Sequence, residues 1–105
     1  MKTLETKGLS QPPPDSIRAA CARISSSKVF ENSERMIRFL RFVVDKTLAG
    51  QTDQIKEYVL GVEVFDRDPS FDPKIDTIVR VEARRLRRKL KEYYDSEGAQ
   101  DAVRI

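Results

Sequence analysis

Residues 76–94 carry both a dense positive charge and apolar side chains at helical spacing, and this segment restricts the possible folds more than any other. At about 100° per residue, a helix would place one set of apolar residues on a stripe roughly 80° wide. That stripe consists of Val79, Ala83, Leu86, Leu90 and Tyr93. On an adjoining stripe, roughly 80–180° from the first, lie Arg80, Arg84, Arg87, Arg88 and Lys91. The pattern predicts a helix that packs against a core on one side and presents cations on the other.

Two further helices are predicted upstream. The first is short and can be capped by Asp15 or Ser16. Its apolar face consists of Ile17, Ala20, Cys21 and Ile24. The second begins after Asn32 or Ser33 and stops at Gly50, which is suited to a left-handed helix end. Apolar residues cover more than half of its circumference, so we expect it to be packed from several sides and to form the central scaffold.

Between this scaffold and the arginine-rich helix, the periodicity of apolar residues is weaker. A shorter helix is predicted over residues 53–62, with Gly61 weakening its end, although residues 62–65 also fit a strand. Residues 66–73 contain two Asp-Pro steps, which indicate a turn-rich connector. Asp76 is the expected N-cap of the last helix.

The domain is predicted to span residues 15–105, because residues 1–14 are polar and proline-rich and are expected to form a disordered tail. A domain of about 90 residues buries only about 60–65% of its unfolded surface, which suffices for a few helices but not for a deep substrate cavity. The expected fold class is mainly α, with three to four helices. No apolar run approaches the roughly 18 residues of a membrane span, so a cytoplasmic protein is expected.

Missing residue types exclude several kinds of site. Histidine is absent, which removes Ser-His and Cys-His nucleophilic mechanisms. Cys21 is the only cysteine, so neither an intrachain disulfide nor a CxxC zinc or redox site can form. The glycines are too scattered to build a phosphate-binding loop. We therefore predict a domain that is not an enzyme and that takes no cofactor and no small-molecule substrate.

The acidic connector matches a calcium-binding loop in part. Asp66, Asp68 and Ser70 fit the first, third and fifth positions of such a loop. An EF-hand loop needs glycine at the sixth position and glutamate at the twelfth, where this chain has Phe71 and Thr77. We interpret these acids as turn residues and predict no metal site.

The basic stripe is the main functional signal. Most charge runs are solvated helix faces, but such faces usually alternate in sign, whereas residues 80–91 contain seven basic residues and one acid, Glu82. Arginine predominates, and a planar guanidinium can grip phosphate or a guanine edge with two parallel hydrogen bonds. A thymine methyl could contact Val81, which could equally belong to the core, and Thr77 could hold a phosphate at the helix start. The predicted DNA contacts are Thr77, Arg80, Val81, Arg84, Arg85, Arg87, Arg88 and Lys91.

Two helices joined by a turn, the second of them basic, make a helix-turn-helix arrangement in outline, so duplex DNA is the favoured partner. The alternative is a protein-interaction or assembly module whose basic helix docks an acidic partner surface. The apolar stripe from Val79 to Tyr93 could instead form a coiled coil. Binding to an anionic membrane ranks below these, because the apolar face lacks bulky inserting residues.

The arginine-rich segment also resembles the recognition helix of response-regulator-type winged helix-turn-helix domains. A V-x-V-x-x-x-R-L-R-x-K-L pattern is common in that family, and its fixed positions are matched here by Val79, Val81, Arg85, Leu86, Arg87, Lys89 and Leu90. Together with residues 38–44, 56–58, 61–65 and 68–73, the segment is similar to a narrower bacterial group. Those modules stand at the N-termini of larger proteins that carry a membrane segment, tetratricopeptide repeats or a cyclase-like region.

This resemblance implies a transcription-regulator-like module with a three-helix core, the helix of residues 76–94 in the major groove and a β-hairpin wing beyond it. Residues 102–105 could form only the first strand of that wing, so the predicted wing is incomplete. The four-stranded sheet that precedes the helices in response regulators is not expected, because residues 15–27 are predicted to be helical. Two interpretations follow: a fragment of a longer regulator, or a standalone product that keeps the fold without the function. Expected partners besides DNA are a second copy of the chain or C-terminal sensor or repeat domains.

Overall fold

The computed structural model describes residues 12–105. Four α-helices and one short 3-10 helix make up its regular structure: α1 (Pro14–Ser25), α2 (Glu34–Leu48), the 3-10 helix (Thr52–Gln54), α3 (Glu57–Glu63) and α4 (Ile78–Tyr94). No β-strand occurs within the described range, so the fold is mainly α, as predicted. Most of the predicted tail, residues 1–11, lies outside that range.

Helix α1 forms where the apolar spacing predicts it, with Ala20, Cys21 and Ile24 buried. Its start differs from the prediction, because Pro13 occupies the N-cap position and Pro14 the first helical position. Proline suits that position, since its missing N–H has no partner in the first turn of any helix. Asp15 therefore lies inside the first turn, where its carboxylate interacts favourably with the helix dipole.

Helix α2 is the scaffold that the sequence predicts, since it contacts both α1 and α4. It begins after Ser33 and ends at Leu48, and Gly50 follows in the left-handed conformation with φ of 72°. The Ser33 hydroxyl makes no cap hydrogen bond, in contrast to the expectation. The buried face of α2 comprises Met36, Phe39, Leu40 and Val44.

The region after α2 is only partly helical: the helix predicted over residues 53–62 begins at Glu57, because Lys56 has an extended backbone. Helix α3 includes Gly61 within its span, and no strand forms at residues 62–65. A Cβ atom on Gly61 would lie 2.2 Å from Cε2 of Phe71, so the missing side chain allows the Phe71 ring to pack against the α3 backbone. Phe65, just beyond α3, meets Phe39 of α2 edge to face with ring centroids 5.3 Å apart.

The connector between α3 and α4 is built from turns, as its Asp-Pro steps predict. Asp68 Oδ1 accepts hydrogen bonds from the backbone N–H of Ser70 at 2.9 Å and from its hydroxyl at 2.7 Å. Asp72 Oδ1 accepts one from the backbone N–H of Lys74 at 2.9 Å. Both are Asx-type contacts, in which aspartate bonds the backbone two residues on. Asp68 and Asp72 thus serve as turn residues.

The segment after α4, residues 95–105, contacts α1 and forms no strand. Its Asp101 carboxylate accepts two hydrogen bonds from Arg23 of α1. At its end, the backbone N–H of Ile105 donates to the Tyr94 hydroxyl at 2.7 Å, and the Arg104 guanidinium lies 4.6 Å from the centre of the Tyr94 ring. Residues 102–105, which the sequence offered as a first wing strand, have no regular secondary structure here.

Candidate nucleic-acid interface

The start of α4 is held by Asp76. Its Oδ1 accepts a hydrogen bond from the backbone N–H of Ile78 at 3.0 Å, and its Oδ2 accepts one from Nε of Arg67 at 2.8 Å. Asp76 therefore supplies the predicted cap bond, although Thr77 occupies the N-cap position itself. Thr77 is exposed at the helix start.

One side of α4 packs into the core. Val79, Leu86 and Tyr93 are buried, and Ala83 and Leu90 are partly buried against the same cluster. This confirms the helical phase that the sequence predicts. Because the apolar stripe is already covered by the domain itself, it is not available for the coiled coil that was the alternative use for it.

The basic stripe adjoins the packed side of α4. All of its members are exposed: Arg80, Arg84, Arg87, Arg88 and Lys91. The structure thus brings these five predicted site residues together on one face. Among residues 12–105, Arg84, Arg87 and Arg88 form no ion pair and no side-chain hydrogen bond.

The remaining cations of the stripe have acidic neighbours. Arg80 Nε donates to Oε2 of Glu57 at 2.8 Å, and Lys91 Nζ donates to Oδ2 of Asp95 at 2.7 Å. The hydrogen bond with Asp95 raises the pKa of the Lys91 ammonium group. Among residues 12–105, the cations of the stripe that have no acidic partner are therefore Arg84, Arg87 and Arg88.

Glu82, the single acid among residues 80–91, points away from the stripe. Its side chain is only 6% exposed and lies 3.3 Å from Nη1 of Arg85. At 100° per residue, Glu82 is about 160° around the helix from Arg84. It therefore does little to neutralise the exposed cations.

Val81 lies at the edge of the basic stripe, and Arg85 lies beyond that edge. Arg85 is exposed but is turned toward Glu82, so the structure separates it from the other predicted arginines. Val81 is 42% exposed, which excludes the core position that its sequence context left open. It lies next to Arg84 and Arg88, which follow it at three and seven residues along the helix.

Glu57 and Pro73 were not among the predicted site residues. Glu57 opens α3, and Pro73 lies in the connector, yet both accept hydrogen bonds from the Arg80 guanidinium, at 2.8 Å and 2.6 Å. They lie 23 and 7 residues before Arg80. An ion pair at such a separation depends on the tertiary fold, and no local sequence pattern indicates it.

A cleft of about 490 Å³ lies away from the basic stripe, and its lining includes Ile17, Val43, Val103 and Ile105. Within residues 12–105, Cys, Asp and Glu side chains form no group of three or more that could hold a metal ion. Over the same residues, every helix is too short or too polar to cross a membrane.

Comparisons with protein-family models, with curated proteins and with solved structures found no match.

Proposed function

We propose that this domain binds duplex DNA, with α4 lying in the major groove as in a winged helix-turn-helix regulator. The observation that carries the proposal is the set of three neighbouring arginines, Arg84, Arg87 and Arg88, which are exposed and without an internal partner among residues 12–105. Like charges along one helix face repel one another and destabilise the helix. An anionic ligand offsets that repulsion.

The dimensions of α4 support a groove as the docking site. With 17 residues, the helix is about 25 Å long and about 10–12 Å across. The major groove of B-DNA is about 12 Å wide, which admits one helix. Arginine side chains on the outer face would reach phosphates and base edges from there.

The distribution of charge supports a polyanion over a small acidic ligand. The stripe extends along several turns of α4 from Arg80 to Lys91, and all of its members are exposed. Duplex DNA presents one negative charge per roughly 1.7 Å of axis, so it can contact several of these cations at once. The partly exposed Val81 beside the stripe provides an apolar contact for a thymine methyl.

The test is fluorescence-anisotropy binding to a mixed-sequence duplex and to one of its single strands at several salt concentrations. If Arg84, Arg87, Arg88 and Lys91 each neutralise one phosphate, log Kobs should fall against log salt with a slope near −3.6. That slope means roughly a hundredfold loss of affinity between 50 and 200 mM salt. The duplex should also bind more tightly than the single strand.

Two outcomes would contradict the proposal. Absence of binding to the duplex at about 50 mM salt would leave α4 as a surface that docks an acidic protein partner. Equal affinity for the duplex and the single strand would mean that α4 attracts polyanions without entering a groove.

A further inference from the structure

Arg80 differs from its neighbours on the basic stripe in being held in one orientation. Its Nε donates to Oε2 of Glu57 at 2.8 Å, and its Nη2 donates to the carbonyl oxygen of Pro73 at 2.6 Å. These acceptors come from the first turn of α3 and from the connector, so two separate elements fix one guanidinium plane. The side chain nevertheless remains 54% exposed.

The hydrogen bonds that Arg80 makes leave part of its donor set free. A guanidinium has five N–H groups, and the contacts with Glu57 and Pro73 use one on Nε and one on Nη2. Both N–H groups of Nη1 and the second one of Nη2 remain. One donor from each of these two nitrogens makes a fork that matches the O6 and N7 acceptors of guanine.

The position of Arg80 on α4 suits contact with bases. It is the third residue of the helix, and recognition helices contact base edges mainly through their N-terminal residues. Its charge is already paired with Glu57, so it contributes less than Arg84, Arg87 or Arg88 to the attraction of phosphates. What distinguishes Arg80 is its fixed direction rather than its charge.

We infer that Glu57 is a positioning residue that orients Arg80 to recognise a guanine in the major groove. This inference rests on the proposed DNA binding and adds a division of roles within it. Arg84, Arg87 and Arg88 hold phosphates regardless of sequence, whereas the Glu57–Arg80 pair selects a base. Preorganisation reduces the conformational entropy that the long Arg80 side chain loses on binding.

The experiment selects binding sequences from a randomised duplex pool with the parent chain and with variants. For the parent, we expect enriched sequences that share a guanine whose replacement weakens binding by roughly 5- to 150-fold. Arg80→Lys keeps the charge but removes the fork, so the guanine preference should be lost. Arg87→Lys is the matched control, and it should keep the preference.

Two variants of Glu57 separate its hydrogen bond from its charge. Both Glu57→Ala and Glu57→Gln remove the negative charge, and both should raise affinity for mixed-sequence DNA slightly. Only glutamine retains an oxygen that can accept the Arg80 Nε hydrogen bond. We therefore expect Glu57→Gln to keep most of the guanine preference and Glu57→Ala to lose it, with circular dichroism confirming that each variant is folded.

Retention of the parent's guanine preference in Arg80→Lys, or in Glu57→Ala, would overturn the inference while leaving DNA binding intact. A parent chain that neither binds duplex DNA in a salt-dependent way nor enriches any sequence would instead overturn the proposed function, and this inference with it.

Discussion

Arg23 and Asp101 are joined by two parallel hydrogen bonds, from Nη2 to Oδ1 at 2.8 Å and from Nε to Oδ2 at 3.1 Å, across 78 residues of sequence. The Tyr93 hydroxyl also lies 3.5 Å from Oδ2. This ion pair holds the segment that follows α4 against α1. The Arg23 hydrogen bond lowers the pKa of the Asp101 carboxyl below its ordinary value of 3.8 and raises the pKa of the Arg23 guanidinium.

Replacement of Asp101 should therefore have a pH-dependent effect on stability. A carboxyl whose pKa is lowered in the folded state stabilises the fold above its unfolded pKa, and this contribution is lost as the pH falls through the folded pKa. We expect Asp101→Asn to lower the free energy of unfolding at pH 7, with the difference from the parent shrinking below about pH 4. Urea titrations of both proteins across this range measure the difference, and a gap that stays constant down to about pH 2 would contradict the assignment.

The contact of Gly61 with Phe71 predicts an unusual response to alanine. In an exposed helix interior, Gly→Ala stabilises by up to about 1 kcal/mol. Here the new Cβ would lie 2.2 Å from the Phe71 ring, so we expect Gly61→Ala to destabilise the fold by about 1–3 kcal/mol. In a Phe71→Ala background the same change should be neutral or stabilising. Chemical denaturation of the four proteins in this cycle gives the coupling energy, and a value near zero would mean that the two residues do not interact.

Leu86 and Val81 lie on opposite sides of α4 and should respond differently to truncation. Leu86 is 7% exposed and Val81 is 42% exposed. Leu86→Ala should cost about 2–5 kcal/mol of unfolding free energy through lost burial and the cavity left behind. Val81→Ala should change stability by no more than about 0.5 kcal/mol. Comparable losses for the two variants, measured by urea denaturation, would mean that the helical phase of α4 is misassigned.

Much of the fold could be predicted from periodicity alone. The apolar spacing in α1 and α2 marks helices because each of these elements buries one continuous face, and the Asp-Pro steps mark turns because proline restricts the residue before it. The start of α1 at Pro14 was predicted two or three residues late, since a cap by Asp15 or Ser16 competes with the preference of proline for the first helical position. The state of residues 62–65 could not be decided locally, because short apolar runs fit a strand or a helix equally well.

The candidate site was predictable to the extent that it depends on one helix. The exposed positions of Arg80, Arg84, Arg87, Arg88 and Lys91 follow from the helical repeat. The helical repeat does not predict the ion pair of Arg85 with Glu82 or that of Arg80 with Glu57. Both depend on how the side chains pack in the folded domain. The sequence therefore predicts where the cations lie but not which of them are paired.

The proposal that the exposed arginines of α4 bind DNA can be tested with two variants that lose the same charge. One carries Arg84→Ala, Arg87→Ala and Arg88→Ala on α4, and the other carries Arg18→Ala, Lys28→Ala and Arg41→Ala, all of them exposed residues outside α4. In salt-dependent anisotropy titrations with one duplex, we predict that the α4 variant flattens the log–log slope by about 2.7, which corresponds to three lost phosphate contacts. The charge-matched variant should keep nearly the parent slope. Equal losses in the two variants would mean that net charge, rather than this face of α4, governs binding, and would contradict the account.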